Sequence, residues 1–209
     1  MTNPESLFES LIDGMLETGY GVADWFLSPH EVVALRTRLQ NRQAAGLFRE
    51  AGIGQMADHS GQIIVEKTIR GDEILWLEPD TATPEEAHFL NRVNQFIGYL
   101  NRTCYLGLRD SELHYARYPT GTFYKRHLDR FHSDSRRRLS IICYLNHNWQ
   151  PTNGGELAIY VPETDSAEQT ILIEPIGGRL VCFDSGLIEH EVLPATRDRL
   201  SITGWLRTG

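Results

Sequence analysis

Only three of the 209 residues are cysteine, Cys104, Cys143 and Cys182. They lie far apart in apolar stretches. Neither a disulfide framework nor a zinc knuckle fits that spacing, so all three are expected as buried, reduced thiols. No run approaches the roughly 18 apolar residues of a membrane span. The N-terminus lacks a basic flank followed by an apolar run, which argues against a signal peptide and for a cytoplasmic location. There is no repeat and no low-complexity tract. Basic residues are the minority, 20 against 28 acidic, and the net charge of −8 argues against nucleic acid or an anionic membrane as partner. With 41% hydrophobic and 23% charged residues, the composition is that of a soluble globular chain. The length suits one domain with a substantial core, and two would be cramped.

The first half reads as helical support. Leu7, Leu11, Ile12, Met15 and Leu16 carry a helical apolar period over residues 4–18, and a short apolar strand is expected at 19–27. Ser28-Pro29-His30-Glu31 starts a second helix: Ser28 can cap, Pro29 suits the first turn, and Glu31 can close a capping box. Thr83-Pro84-Glu85-Glu86 repeats the device for a third helix, with Phe89, Leu90, Val93, Phe96, Ile97 and Leu100 on its apolar face. Between them, residues 52–78 form a glycine-rich polar stretch around Ile63-Ile64-Val65. A loop this long in a compact domain is either a disordered excursion or a functional finger. A strand at 72–77 follows it.

From residue 111 onward the pattern changes to short strands, at 113–118, 122–129, 138–146, 156–161, 170–174, 178–184, 187–193 and 199–206. Turn signals such as Pro119-Thr120-Gly121 and Thr152-Asn153-Gly154-Gly155 separate them. This spacing suits a mainly β fold with added helices: a double-stranded β-helix, or jelly roll, with the helices packed on one sheet. The whole chain, 1–209, is taken as a single domain, with 1–110 as support plus finger and 111–209 as the jelly-roll core. On the last strand Arg199, Ser201, Thr203 and Trp205 share one face and Leu200, Ile202, Gly204 and Leu206 the other. If the aliphatic face meets the helices, Arg199 points into the barrel. A buried arginine there needs either an anionic ligand or a structural carboxylate.

The chemistry-bearing stretch is Tyr124-Lys125-Arg126-His127-Leu128-Asp129. His127 and Asp129 are two apart, so a strand places them on one face, and His190 falls in a later strand. Two imidazoles and a carboxylate on one face make the facial triad that holds non-haem Fe(II) with open positions. An H-x-D alone is a weak signal, and a single histidine is more often structural. The order strengthens it: H-x-D early in the barrel, His late, and Arg199, a fork suited to a carboxylate, on the last strand. Together they point to an oxygenase with a keto-acid co-substrate. His132, His114, His147, Glu189 and Glu191 rank lower as ligands because none combines same-face pairing with strand placement. Lys125, Arg126, Arg130, Arg136, Arg137 and Arg138 cluster beside the site, either as a solvated face or as the approach for an acidic or phosphate-bearing partner.

Residues from about 60 to 207 resemble the prolyl 4-hydroxylases of the hypoxia-inducible-factor type, especially their bacterial relatives. The likeness runs through Ile69-Arg70-Gly71-Asp72 with Trp76, Tyr118-Pro119, Tyr124-x-Arg126-His127-x-Asp129, and Tyr144-Leu145-Asn146 with Trp149. It continues in Gly154-Gly155, Ile173-Glu174-Pro175, His190-Glu191-Val192 and Arg199-x-x-Ile202-Thr203-x-Trp205. The resemblance implies Fe(II) on His127, Asp129 and His190, with O2 and 2-oxoglutarate as co-substrates and ascorbate as reductant. It implies Arg199 on the distal carboxylate of 2-oxoglutarate, aided by Tyr144, Tyr118 and Thr203, with Ile142, Leu157 and Trp205 as walls. Ile69, Arg70, Asp72, Trp76, Arg126 and Arg137 would serve substrate binding, with 63–71 as a mobile finger, Asp72 and Arg137 as a loop-to-barrel pair, and Arg126 facing the substrate.

The same resemblance implies an enzyme that 4-hydroxylates a prolyl residue in a protein, with elongation factor Tu as target; a monomer is expected, and a role in oxygen sensing stays open. Compared with the animal enzymes, the span from Tyr118 to His127 is one residue shorter and the C-terminal helix is expected to be absent. Both differences bear on the substrate more than on the chemistry. The absence of appended domains points to a stand-alone bacterial enzyme. Two alternatives stay open: an oxygenase of a free amino acid or small molecule, and a cupin-like sensor without turnover.

Overall fold

A computed structural model describes residues 4–52, 68–130, 136–162 and 168–209. The expected finger around Ile63 and the histidine at 132 fall outside these residues. The helices follow from their caps. α1 spans Pro4–Thr18, α2 spans Pro29–Ala44 and α3 spans Pro84–Thr103. Ser28 and Thr83 each accept the N3 backbone N–H, and Glu31 and Glu86 each reach back to the cap backbone, so both boxes close. Phe89, Val93, Phe96, Ile97 and Leu100 are buried along α3 as their period requires, and Leu90 packs at the margin.

The strands among the described residues are β1 (Tyr20–Ala23), β2 (Arg49–Glu50), β3 (Glu73–Trp76), β4 (Leu108–Tyr118), β5 (Tyr124–His127) and β6 (Arg137–Tyr144). The rest are β7 (Leu157–Pro162), β8 (Glu168–Ile173), β9 (Leu180–Asp184), β10 (Glu189–Val192) and β11 (Arg199–Thr208). They form two antiparallel sheets, in the orders β1-β9-β6-β11-β4-β3-β2 and β5-β10-β7-β8, as a jelly roll with helices on one side. The expected strand at 19–27 stops at Ala23, because Asp24–Leu27 turns with Trp25 at φ 64°. The strand expected over 122–129 covers only Tyr124–His127, which leaves Asp129 in a bend. The two-residue β2 carries no sequence signal.

Two cores result. Between helices and large sheet lie Leu11, Leu35, Phe96, Leu113, Leu200, Ile202 and Leu206. Between the sheets lie Tyr118, Ile142, Tyr144, Leu157, Ile159 and Val181. β11 sits centrally in the large sheet, paired with β4 and β6, so its alternation divides the molecule. Leu200, Ile202 and Leu206 each contribute about 1.5–3 kcal/mol on the helix side, and Arg199 and Ser201 point between the sheets. Cys143 and Cys182 are buried free thiols, held protonated by burial. Cys104, at the end of α3, is partly exposed, contrary to the expectation for all three.

The helix-side face of β11 also explains Gly204, at φ 155°. A Cβ there would stand 1.9 Å from the Glu112 carbonyl oxygen on β4, a clash that only strand separation could relieve. Gly204→Ala is therefore expected to cost about 3 kcal/mol, read as a lower denaturation midpoint in urea. An unchanged midpoint would show that β4 and β11 can separate at little cost.

Candidate active site

β5 and β10 place His127 and His190 directly opposite each other in register, with ring centroids 4.3 Å apart. Asp129 curls back beyond the end of β5. Its Oδ1 lies 3.5 Å from His127 Nε2 and its Oδ2 3.6 Å from His190 Nε2. Donor atoms of the three residues lie within 4.8 Å of one another, the one group of potential metal ligands among the described residues. Each imidazole turns its other nitrogen to a carbonyl: His127 Nδ1 to Lys125 at 2.7 Å and His190 Nδ1 to Ile188 at 3.3 Å. With Nδ1–H donating, both Nε2 lone pairs are free for a cation.

The electrostatics match that use. Burial alone would raise the Asp129 carboxyl, but His190, His127 and the Ser140 hydroxyl outweigh it and hold the group far below the usual carboxylate range. Burial pushes His190 down to about 4, against an opposing pull from Asp129. A charged carboxylate and a neutral imidazole at neutral pH suit cation binding with little proton competition. Tyr124 stacks on the outer face of His127 at 3.6 Å. The Arg70 guanidinium lies 4.2 Å from the Tyr124 ring centre.

Arg199 begins β11 opposite Tyr118 on β4 and is 1% exposed. Its Nε donates to the Gly155 carbonyl at 2.9 Å and one terminal nitrogen to the Tyr144 hydroxyl at 3.4 Å. The Tyr118 and Tyr144 rings flank the guanidinium at 5.2 and 4.9 Å. Among the described residues no carboxylate pairs with Arg199. Of the two partners open at the sequence level, the structural carboxylate is not found among the described residues. Burial raises both phenols, so at neutral pH they stand protonated, as donors. Ile142 and Leu157 belong to the same inter-sheet core.

The other expected residues have partners of their own within the protein. Thr203 spends its hydroxyl proton on the Ile141 carbonyl at 3.0 Å. Trp205 packs between Arg137, 3.3 Å from its ring centre, and the His114–Trp76 pair. Asp72 forms its ion pair with Arg70, at 2.7 and 2.8 Å, in place of the expected Arg137, which instead donates to Glu112 at 3.3 Å. Arg70 also donates to the Gly52 carbonyl, and the Ile69 carbonyl accepts from Lys125 N–H. Arg126 lies on the outer side, over the Tyr160 ring and paired with Glu168 and Glu189. Arg138 pairs with Asp184, so three residues of the basic cluster, Arg126, Arg137 and Arg138, have carboxylate partners in place. Of the lower-ranked residues, Glu191 accepts from Tyr160, His147 is exposed and His114 is buried. Ser140 and Ser185, a hydroxyl pair against Asp129, are not among the residues that the sequence singles out.

Residues 113–207 match the 2OG-Fe(II) oxygenase superfamily. The hypoxia-inducible factor prolyl hydroxylase of Caenorhabditis elegans is 30% identical over 94% of this chain, which spans 28% of that protein. Human prolyl hydroxylase EGLN3 is 30% identical, with 94% of this chain and 82% of EGLN3 covered. Among solved structures, a Pseudomonas putida prolyl-4-hydroxylase matches with a TM-score of 0.82 and 38% identity, covering 97% of this chain and 99% of that one. A Trichoplax adhaerens prolyl hydroxylase, in complex with a peptide fragment of the hypoxia inducible factor oxygen degradation domain, matches with a TM-score of 0.84 and 27% identity. That match covers 98% of this chain and 90% of the other.

The buried imidazole of His114 gives a pH dependence with a definite sign. Burial lowers it to about 4, against about 6.5 in an unfolded chain. Below pH 6.5 the unfolded chain takes up a proton that the native one refuses until about pH 4. Stability is therefore full above pH 6.5 and falls between 6.5 and 4, by on the order of 3 kcal/mol. Urea midpoints of the metal-free protein should drop across that window. His114→Gln should flatten the drop, with His190 keeping its own share, and an unchanged slope would contradict this assignment.

Proposed function

The chain belongs to the 2OG-Fe(II) oxygenase superfamily, within the prolyl hydroxylase group, and on that footing we propose that it hydroxylates the C4 carbon of a prolyl residue, in the trans sense, in a protein substrate. The observation that carries this reading is Arg199: a fully buried cation without a carboxylate partner among the described residues, walled by Tyr118 and Tyr144, in the same barrel as His127, Asp129 and His190. The donor set fits the cofactor. Two imidazoles and one carboxylate are the ligands of a non-haem Fe(II) centre that keeps positions open. A lone guanidinium with two phenol donors fits the distal carboxylate of 2-oxoglutarate.

Bound iron would supply O2 activation: one oxygen atom goes to the 2-oxo acid, which leaves as succinate and CO2, and the other enters the C–H bond of the substrate. The chain's own part is placement. His127 and His190 present Nε2 and Asp129 its carboxylate, while Arg199, Tyr144 and Tyr118 anchor the co-substrate's far end. Ile142, Leu157 and Val181 keep water from the inner end of the cleft.

The 38% identity to the Pseudomonas putida prolyl-4-hydroxylase over nearly its whole length supports the C4 position. The Trichoplax adhaerens complex with a peptide supports a protein segment as substrate. Our candidate substrate is elongation factor Tu, with ascorbate as reductant, the cytoplasm as location and a monomer as the working unit. No helix among the described residues is long and apolar enough to cross a membrane.

Purified protein with Fe(II), 2-oxoglutarate, O2, ascorbate and elongation factor Tu should release succinate and add one oxygen to a proline, read by mass spectrometry. His127→Ala should abolish both. Succinate without an oxidised proline would remove elongation factor Tu as substrate, and no succinate from iron-loaded protein would sink the enzymatic reading. Arg199→Ala should raise the 2-oxoglutarate KM about 100-fold, the loss of roughly 3 kcal/mol of charge-assisted hydrogen bonding, with metal affinity unchanged. Equal loss of metal binding in both variants would show that Arg199 has a different role.

A further inference from the structure

Of the three ligands, Asp129 alone lacks a ladder to hold it. His127 and His190 sit on paired strands in register, while Asp129 lies two residues past the end of β5, in a bend. A ligand on such backbone keeps its geometry only if other groups lock its rotamer and its chain. Two buried serines do both. Ser140, on β6 and 1% exposed, has its Oγ 2.7 Å from Asp129 Oδ2. Ser185, in the β9–β10 turn and fully buried, has its Oγ 2.9 Å from that of Ser140. The backbone of Ser185 holds the same loop: its carbonyl accepts Arg130 N–H at 2.9 Å, and its N–H donates to the Arg138 carbonyl at 3.2 Å.

Proton counting fixes the direction of this chain. An ionised carboxylate only accepts, and each hydroxyl has one proton. The Ser140 proton therefore goes to Asp129, and the Ser140 oxygen accepts from Ser185. A hydrogen bond ending on a charge is the stronger kind, and here it occupies Oδ2. Oδ1 faces His127 Nε2 at 3.5 Å and Oδ2 faces His190 Nε2 at 3.6 Å, so the hydroxyl is an added hold on the Oδ2 side.

We propose that Ser140 and Ser185 are positioning residues for the metal site: a buried hydroxyl relay that engages Oδ2 and fixes the Asp129 carboxylate against the two imidazoles, with Ser185 acting only through Ser140. The proposal rests on the iron site inferred above.

The test is a Mn(II) titration of metal-free protein, with the visible absorption of the Co(II) form as a second readout. Ser140→Ala should keep its melting temperature within about 5 °C, because it removes one atom and no packing. Its Mn(II) Kd should rise about 10–100-fold, the usual effect of losing a group that orients a ligand, and the Co(II) band should shift. Ser185→Ala should lose less. The double variant should bind no more weakly than Ser140→Ala, since a relay in series is non-additive. Wild-type affinity and an unshifted band in Ser140→Ala would overturn the proposal, as would additive losses in the double variant. His127→Ala separates the two levels of inference: if it binds Mn(II) as tightly as the wild type, the iron site itself is wrong and the relay falls with it.

Discussion

The structure is arranged around a buried positive charge that pairs with no carboxylate among the described residues. Arg199 lies at the start of the central strand of the large sheet, buried between two sheets, with the Gly155 carbonyl and the Tyr144 phenol as its hydrogen-bond partners among the described residues. Removing a guanidinium from water without a counter-ion costs several kcal/mol, and part of that cost is offset by the aromatic faces of Tyr118 and Tyr144. The remainder is a standing preference for an anion. Gly155 lets the chain come close enough for its carbonyl to hold Nε: a Cβ there would lie 2.9 Å from Ala195 and 3.2 Å from Trp149. Trp149 in turn donates to the Gly154 carbonyl at 3.0 Å.

Around that charge the two cores have separate tasks. The helix-side core carries most of the aliphatic burial and keeps β11 straight across β4 and β6. The inter-sheet core is smaller and richer in tyrosine, and it ends at the His127–His190 pair. The two histidines of the proposed metal site are thus set on strands whose positions are over-determined by packing elsewhere, which is how a fold holds a site to within the small tolerances that chemistry needs.

Outside the barrel the charges settle locally. Arg126 with Glu168 and Glu189, Arg138 with Asp184, and Arg117 with Glu73 and Asp198 form short-range pairs. Partly exposed pairs of this kind contribute little stability each. Their effect is to leave the site's mouth less basic than the run of arginines suggests. Arg70 differs. It is mostly buried, forks onto Asp72, reaches the Gly52 carbonyl and covers Tyr124, which stacks on His127. Gly52 and Asp72 are therefore connected to His127 through one guanidinium and one ring.

Local chemistry was enough for much of this. The capping boxes at Ser28 and Thr83 use residues three apart, and the faces of β11 follow from a period of two, so helix starts and the inward course of Arg199 were readable from the chain alone. So was the grouping of His127, Asp129 and His190, because order and spacing constrain which residues can meet. Periodicity, however, states a direction and names no partner. That Asp72 pairs with Arg70, that Arg126 turns outward to Glu168, and that Ser140 meets Ser185 beneath Asp129 depend on contacts between distant segments. Strand length is equally non-local: β5 ends at His127 because pairing with β10 runs out there, and Asp129 is then held by side chains from β6 and the β9–β10 turn. The sequence by itself determined which groups the site contains. Only the tertiary structure decided what holds each of them in place, since that depends on which strands become neighbours.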